Sequence, residues 1–268
     1  MRWDNVKSIV LKEYWTYVGN RKIIFSTLTV IVLYAIIIGI NYITGPKALT
    51  SYSRAIAIKQ ISSSPTVFGI GPLDVKKMGD NAILLAAMVV QLPPTIAVFS
   101  YFTTYTSILA SFFVERTLGT MEVLFSTPLE DGEILGGKII ASVSMGITTW
   151  MALFLTNTLG IEALTLKSLG RMWVPTQDYI ILSVLYPLSI VLLAIPIGLL
   201  ISARAKELGE QVGSLIGIIP VVIVLLLIRM DLVDFFRLIK ILTVADFLMI
   251  LASLKFLKFN RLSFISNP

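Results

Sequence analysis

The chain contains no cysteine and no histidine, and only 14% of its 268 residues are charged. Without cysteine there are no disulfides, no thiol nucleophile and no thiolate metal site. Without histidine there is no imidazole acid–base chemistry, no histidine-ligated haem and no HExxH zinc centre. The scarcity of charge excludes more. A soluble domain needs roughly 25% charged residues to cover its surface. What is present instead is apolar: 56% of residues, with a mean hydropathy of +0.87. The composition predicts an all-α protein that spans a membrane several times. The net charge of +6 then belongs to span ends facing anionic lipid, not to nucleic acid.

Apolar runs divide the chain. Residues 1–22 carry Trp3, Val6, Val10, Tyr14 and Tyr17 at spacings of three and four, which predicts one apolar face on an interfacial helix. The spans are expected at about Ile23–Ile43, within Asn81–Val114, at Ile139–Ile161, Tyr179–Ala203, Val212–Ile228 and from about Ile241. Together they form a six-span transmembrane domain over residues 23–260. The run Asn81–Val114 exceeds a hydrocarbon core of about 30 Å at about 1.5 Å per residue, and Pro93-Pro94 is the natural kink. Residues 44–80 read as an extracytoplasmic loop, and 204–210 as a tight polar loop. Arg2, Lys7, Lys12, Arg21 and Lys22 precede the first span and place both termini in the cytoplasm of a cell whose plasma membrane holds the chain.

The densest wording lies between the second and third spans: Glu115-Arg116-x-x-Gly119-Thr120-x-Glu122-x-Leu124-x-x-Thr127-Pro128-Leu129-x-x-x-Glu133-Ile134-x-x-Gly137-Lys138. A segment between two spans must lie at a membrane face. Leu118, Met121 and Phe125 stand three and four apart and form an apolar ridge on a short helix that Gly119 and Thr120 start and Pro128 stops. On this reading the ridge plugs a partner's pocket, with Glu115, Arg116 and Glu122 pairing around it. The stretch Gly132 to Lys138 nearly spells a phosphate-binding loop, but Ile139 stands where a hydroxyl must reach magnesium. No nucleotide site is expected in this chain, so energy comes from a partner or an ion gradient.

This segment resembles the signature of the ABC-2-type ABC transporter permeases. The resemblance is detailed over residues 115–138 and architectural elsewhere. It implies a type V exporter fold in which two permease chains, identical or homologous, pair above two copies of a separate ABC ATPase. That partner carries ATP and magnesium, with no cofactor or metal in the permease. Residues 1–22 become the elbow helix. The 115–138 segment becomes the cytoplasmic coupling helix, with Glu115, Arg116, Leu118, Gly119, Thr120, Met121, Glu122, Phe125, Thr127, Pro128, Glu133 and Lys138 as docking residues. The family's re-entrant element between the last two spans corresponds here to the short, charged stretch 229–240.

Lesser signals complete the reading. Gly209, Gly213 and Gly217 are four apart and suit either a dimer interface or close packing within one chain. Asn41, Gln91 and Asn157 either line a pathway or join helices by hydrogen bonds. Asp246 is either an intramembrane carboxylate or a residue at the membrane edge. The expected function is export of an apolar or amphipathic substrate, such as a lipid, drug or peptide. The alternative is an ion-coupled secondary transporter, which would show inverted repeats and ionisable groups at mid-depth.

Overall fold

The computed structural model describes residues 2–19, 21–44, 81–86, 88–89, 92–117, 119–229, 244–245 and 248. The loop 45–80, residues 230–243, most of the expected sixth span with Asp246, and Gln91 and Leu118 lie outside the described residues. Regular structure among the described residues is helical, with no strand. The helices are α1 (Trp3–Gly19), α2 (Arg21–Thr44), α3 (Asn81–Ala86), α4 (Leu92–Thr117), α5 (Thr120–Ser126), α6 (Asp131–Leu169), α7 (Gln177–Ile180) and α8 (Tyr186–Arg229). Among the described residues, two stretches are long and apolar enough to cross a membrane, Asp131–Leu169 and Gln177–Ser202.

Several boundaries follow from proline chemistry. Helix α4 starts at Leu92, so Pro93 and Pro94 fall in its first turn, where an absent N–H leaves no bond unmade. A single π-helical turn, Ile181–Leu185, joins α7 to α8. Pro187 follows it and cannot donate to the carbonyl of Ser183 four residues back. The Trp150 indole N–H fills that role at 2.9 Å.

One expected loop is absent and another is shortened. The 204–210 stretch continues α8 as helix: Arg, Ala, Lys, Glu and Leu are good helix formers, and Arg204–Glu207 and Lys206–Glu210 have pairing spacings. Likewise α6 starts at Asp131 and runs through Ile161 to Leu169. It therefore absorbs the end of the 115–138 segment and extends beyond the expected third span, Ile139–Ile161. Gly170 ends it at φ 67°, a left-handed cap that glycine adopts freely.

The chain divides into two compact units. The first holds residues 1–26, 98–148 and 188–268; the second holds 27–97 and 149–187. In the first, Ile9, Ile108, Phe112, Met121, Phe125, Ile134, Leu135, Ile195 and Leu199 form one buried cluster. In the second, an added Cβ on Gly160 would stand 2.6 Å from Met88 Cε and 2.7 Å from Ile38 Cγ2. A glycine there lets α2 and the Met88 turn close on α6.

Helix α1 differs from its expected face. Val6, Ile9, Glu13 and Tyr17 are buried, whereas Trp3, Leu11 and Trp15 are exposed. Trp3, expected to share one apolar face of an interfacial helix with Val6 and Tyr17, stands on the other side from them. The buried line follows spacings of three, four and four, and includes Glu13 because a lysine on α6 meets it.

Candidate functional site: the α1–α5–α6 junction

The site is built where α1 lies along the first turns of α6. Partners recur in the same order on both helices, so the two run in the same direction. At the start, Glu133 Oε2 accepts from Asn5 Nδ2 at 2.8 Å, and its other oxygen accepts from the Arg2 backbone N–H. The same carboxylate accepts from Glu130 N at 3.2 Å, half of a capping box at the start of α6. These bonds, the Arg2 amide first, hold the Glu133 carboxyl below its usual range. One turn on, a Cβ added to Gly137 would stand 2.6 Å from Ile9 Cγ2, so only glycine permits this approach.

The centre of the junction is ionic and dry. Lys138 is fully buried. An ammonium has three donors, and these go to Glu13 Oε1 at 2.8 Å, Ser111 O at 3.1 Å and Ser111 Oγ at 2.8 Å. Ser111 in turn donates to Glu13 Oε2 at 2.8 Å. Lys138 also stands 2.8 Å from Glu115 Oε2. That oxygen has no aligned hydrogen bond among the described residues, so the contact is charge attraction once the three donors are spent. Lys12 bonds the other Glu115 oxygen from the solvent edge. Two carboxylates thus balance two ammoniums, and the Phe112 ring centroid lies 5.2 Å from the Lys138 nitrogen. Burial alone would raise the Glu115 carboxyl, but Lys138 and Lys12 together outweigh it and hold it below the usual carboxylate range. Beyond this network Tyr17 donates to Ser107 O at 3.0 Å, which leaves the Ser142 hydroxyl, 3.1 Å away, to donate to the Tyr17 oxygen.

The short helix α5 begins as the sequence predicts. Gly119 precedes it at φ 69°, and Thr127 closes it with its hydroxyl on Leu124 O at 2.5 Å, followed by Pro128. Its apolar ridge, however, faces inward. Met121 and Phe125 are 2% and 3% exposed and belong to the buried cluster of their own unit. They do not protrude toward a partner, because Ile108, Phe112, Ile134 and Leu135 offer an apolar pocket within the chain. Glu115, Glu133 and Lys138 are also spent internally. The outward face carries Gly119, Thr120, Val123, Ser126 and Pro128, with Val123 64% exposed and Thr127 half-buried beside them. The side chains of Arg116 and Glu122 lie outside the described residues, as does that of Asn41.

The remaining expected sites separate. Gly217 is buried, and an added Cβ would fall on the Tyr105 ring; Tyr101 donates to Gly217 O at 2.8 Å. This close approach is made within the chain. The neighbours of Gly209 and Gly213 fall outside the described residues. Asn157 is buried and donates to Tyr179 at 3.2 Å and Met88 O at 3.4 Å. The near-match to a phosphate-binding loop is helix from Asp131 onward, and its lysine is the buried Lys138. Sequence reading missed Glu13 and Ser111. The signal available was a carboxylate interrupting the apolar line Val6–Ile9–Tyr17, which asks for a buried cation.

Comparison with models of protein families, with curated proteins and with solved structures finds no match to this chain.

Proposed function

We propose that this chain is the membrane subunit of an ATP-driven exporter of the ABC-2 type, powered by a separate ATPase that docks on the outward face of residues 119–132. The observation that carries the reading is the construction of the junction. A short helix presents Thr120, Val123, Ser126 and Pro128 outward while its other side is bound into α1 and α6. Force applied to α5 therefore reaches the start of an apolar helix 39 residues long. Packed interiors transmit displacement because they have little room to deform.

The membrane reading is supported by the two long apolar helices and by apolar side chains on the outside of α2 and α6, among them Val32, Ile36, Ile40, Leu155 and Leu159. Exposed apolar surface on this scale needs lipid or a partner. On α1, Trp3, Lys7, Leu11 and Trp15 recur every four residues on the exposed side. Tryptophan and lysine together suit the headgroup zone, so this stripe faces the cytoplasmic membrane surface. Six spans, two permease chains and two ATPases complete the assembly, and the absence of described carboxylates at mid-span favours an apolar or amphipathic cargo over a bare ion.

The test is co-purification from native membranes of wild type and of Val123→Arg. An ATPase in near-equal amount with wild type, reduced at least tenfold by Val123→Arg, is the expected result. An undiminished ATPase with Val123→Arg removes this face as the dock. Absence of any ATPase removes the exporter reading and returns the secondary transporter.

A further inference from the structure

The turn between the two stretches able to cross a membrane is braced from within the second unit. Residues 170–176 join α6 to α7. Gly170 leaves α6 at φ 67°, and its N–H donates to Leu166 O at 3.1 Å. Trp173 is drawn inward and buried. Its backbone N–H donates to Glu162 Oε2 at 3.1 Å, and its ring stands edge-on to Tyr179 at 4.6 Å. Thr176 accepts from Tyr179 N at 3.2 Å and so caps α7. With Trp173 held inside, its two neighbours are turned out: Met172 and Val174 are 71% and 75% exposed. A turn tip in water usually carries Gly, Pro, Asn, Asp or Ser, and a braced turn that presents methionine and valine needs another surrounding.

Depth along the flanking helices says what that surrounding is. The turn is bounded by Asp131–Leu169 on one side and Gln177–Ser202 on the other. A seven-residue connection between two spans lies at a membrane face. In the second stretch, exposed large apolar side chains run from Ile180 to Leu200. That interval is about 30 Å of helix, the thickness of a hydrocarbon core. Ile180 therefore stands at the edge of the hydrocarbon, and on α6 the exposed apolar series that includes Leu159 ends at Leu166. Met172 and Val174 come just beyond both ends, at the level of the lipid headgroups. Exposed Lys167, Arg171 and Gln177 flank them in sequence. Apolar side chains among such polar neighbours suit the boundary between headgroups and acyl chains.

We infer that the 170–176 turn is a lipid-binding anchor: Met172 and Val174 seat in the headgroup zone of the bilayer, and buried Trp173 braces them there. The inference rests on the membrane reading of the two long apolar stretches and not on ATPase docking, and its test contains no ATPase.

The chain has no cysteine, so Met172→Cys, Val174→Cys and Leu159→Cys each give one site for a nitrobenzoxadiazole fluorophore on an exposed side chain. The full chain is placed in phosphatidylcholine vesicles. Quenching is read with iodide on both sides of the membrane, with a nitroxide on the lipid headgroup and with a nitroxide at mid-chain. At 172 and 174 the headgroup nitroxide should quench about twofold more than the mid-chain one, and iodide about fivefold less than it quenches the free fluorophore in water. At 159 the mid-chain nitroxide should win. With 159 in lipid, probes at 172 and 174 that iodide quenches like the free fluorophore overturn the anchor and leave the membrane reading standing. Protection from iodide without nitroxide quenching also overturns it, by placing a protein surface on the tip, as does stronger quenching by the mid-chain nitroxide. A probe at 159 that neither nitroxide quenches removes the membrane reading and the anchor with it.

Discussion

Replacing Lys138 by methionine isolates the junction's central interaction. The volume is nearly kept, and the Phe112 face still meets an apolar chain. Three hydrogen bonds, one of them also the ion pair with Glu13, and the ion pair with Glu115 disappear. Glu13 and Glu115 are left together in a dry site with only Lys12, which is about half exposed (47%) and offers at most about 1 kcal/mol. Removing one partner of a buried pair costs about 3–5 kcal/mol, a large share of a typical stability of about 5–15 kcal/mol. The cost is desolvated charge, not lost attraction, so a second substitution must recover part of it. Glu13→Gln on the Lys138→Met background removes one uncompensated carboxylate and should return about 1–3 kcal/mol. The assay is reversible unfolding in mixed micelles of wild type, both single variants and the double variant. A loss under about 1 kcal/mol for Lys138→Met, or a double variant no more stable than Lys138→Met, refutes the argument.

Other outcomes follow from the same geometry. Lys12→Met, which removes the exposed cation alone, should cost about 0–1 kcal/mol in the same unfolding assay. The lowered Glu115 carboxyl contributes stability that is present above its unfolded pKa and lost as pH falls through its folded one; acid titration of unfolding should show this loss, and Glu115→Gln should flatten it. Gly119→Ala places a side chain at φ 69° and should cost about 1–2 kcal/mol, seen as faster proteolysis between α4 and α5. Gly217→Leu should strongly destabilise the chain by collision with the Tyr105 ring, and Tyr105→Ala should partly restore it; a monomer–dimer shift with unchanged stability would instead place Gly217 at an interface between copies.

Much was legible before any coordinates. Low charge and long apolar runs predict helices that need lipid, because a backbone in hydrocarbon must satisfy its own polar groups. Gly119 and Pro128 bracket α5 through local backbone chemistry, and Pro93-Pro94 mark the start of α4. The continuity of α8 through 204–210 was not legible: polarity suggested a loop, although its residue types favour helix. The side of α5 that faces inward was not legible either. The ridge of Met121 and Phe125 is a sequence fact, but whether a partner or the chain itself fills the space beside it depends on what folds against it.

The sequence by itself determined the mostly helical, apolar character of the chain and the turn at Gly119, since these depend on composition and on neighbours a few residues apart. Only the tertiary structure decided that Glu13, Ser111, Glu115 and Lys138, separated by up to 125 positions between Glu13 and Lys138, share one dry site. Burial and charge pairing arise between helices whose order in space no local pattern encodes.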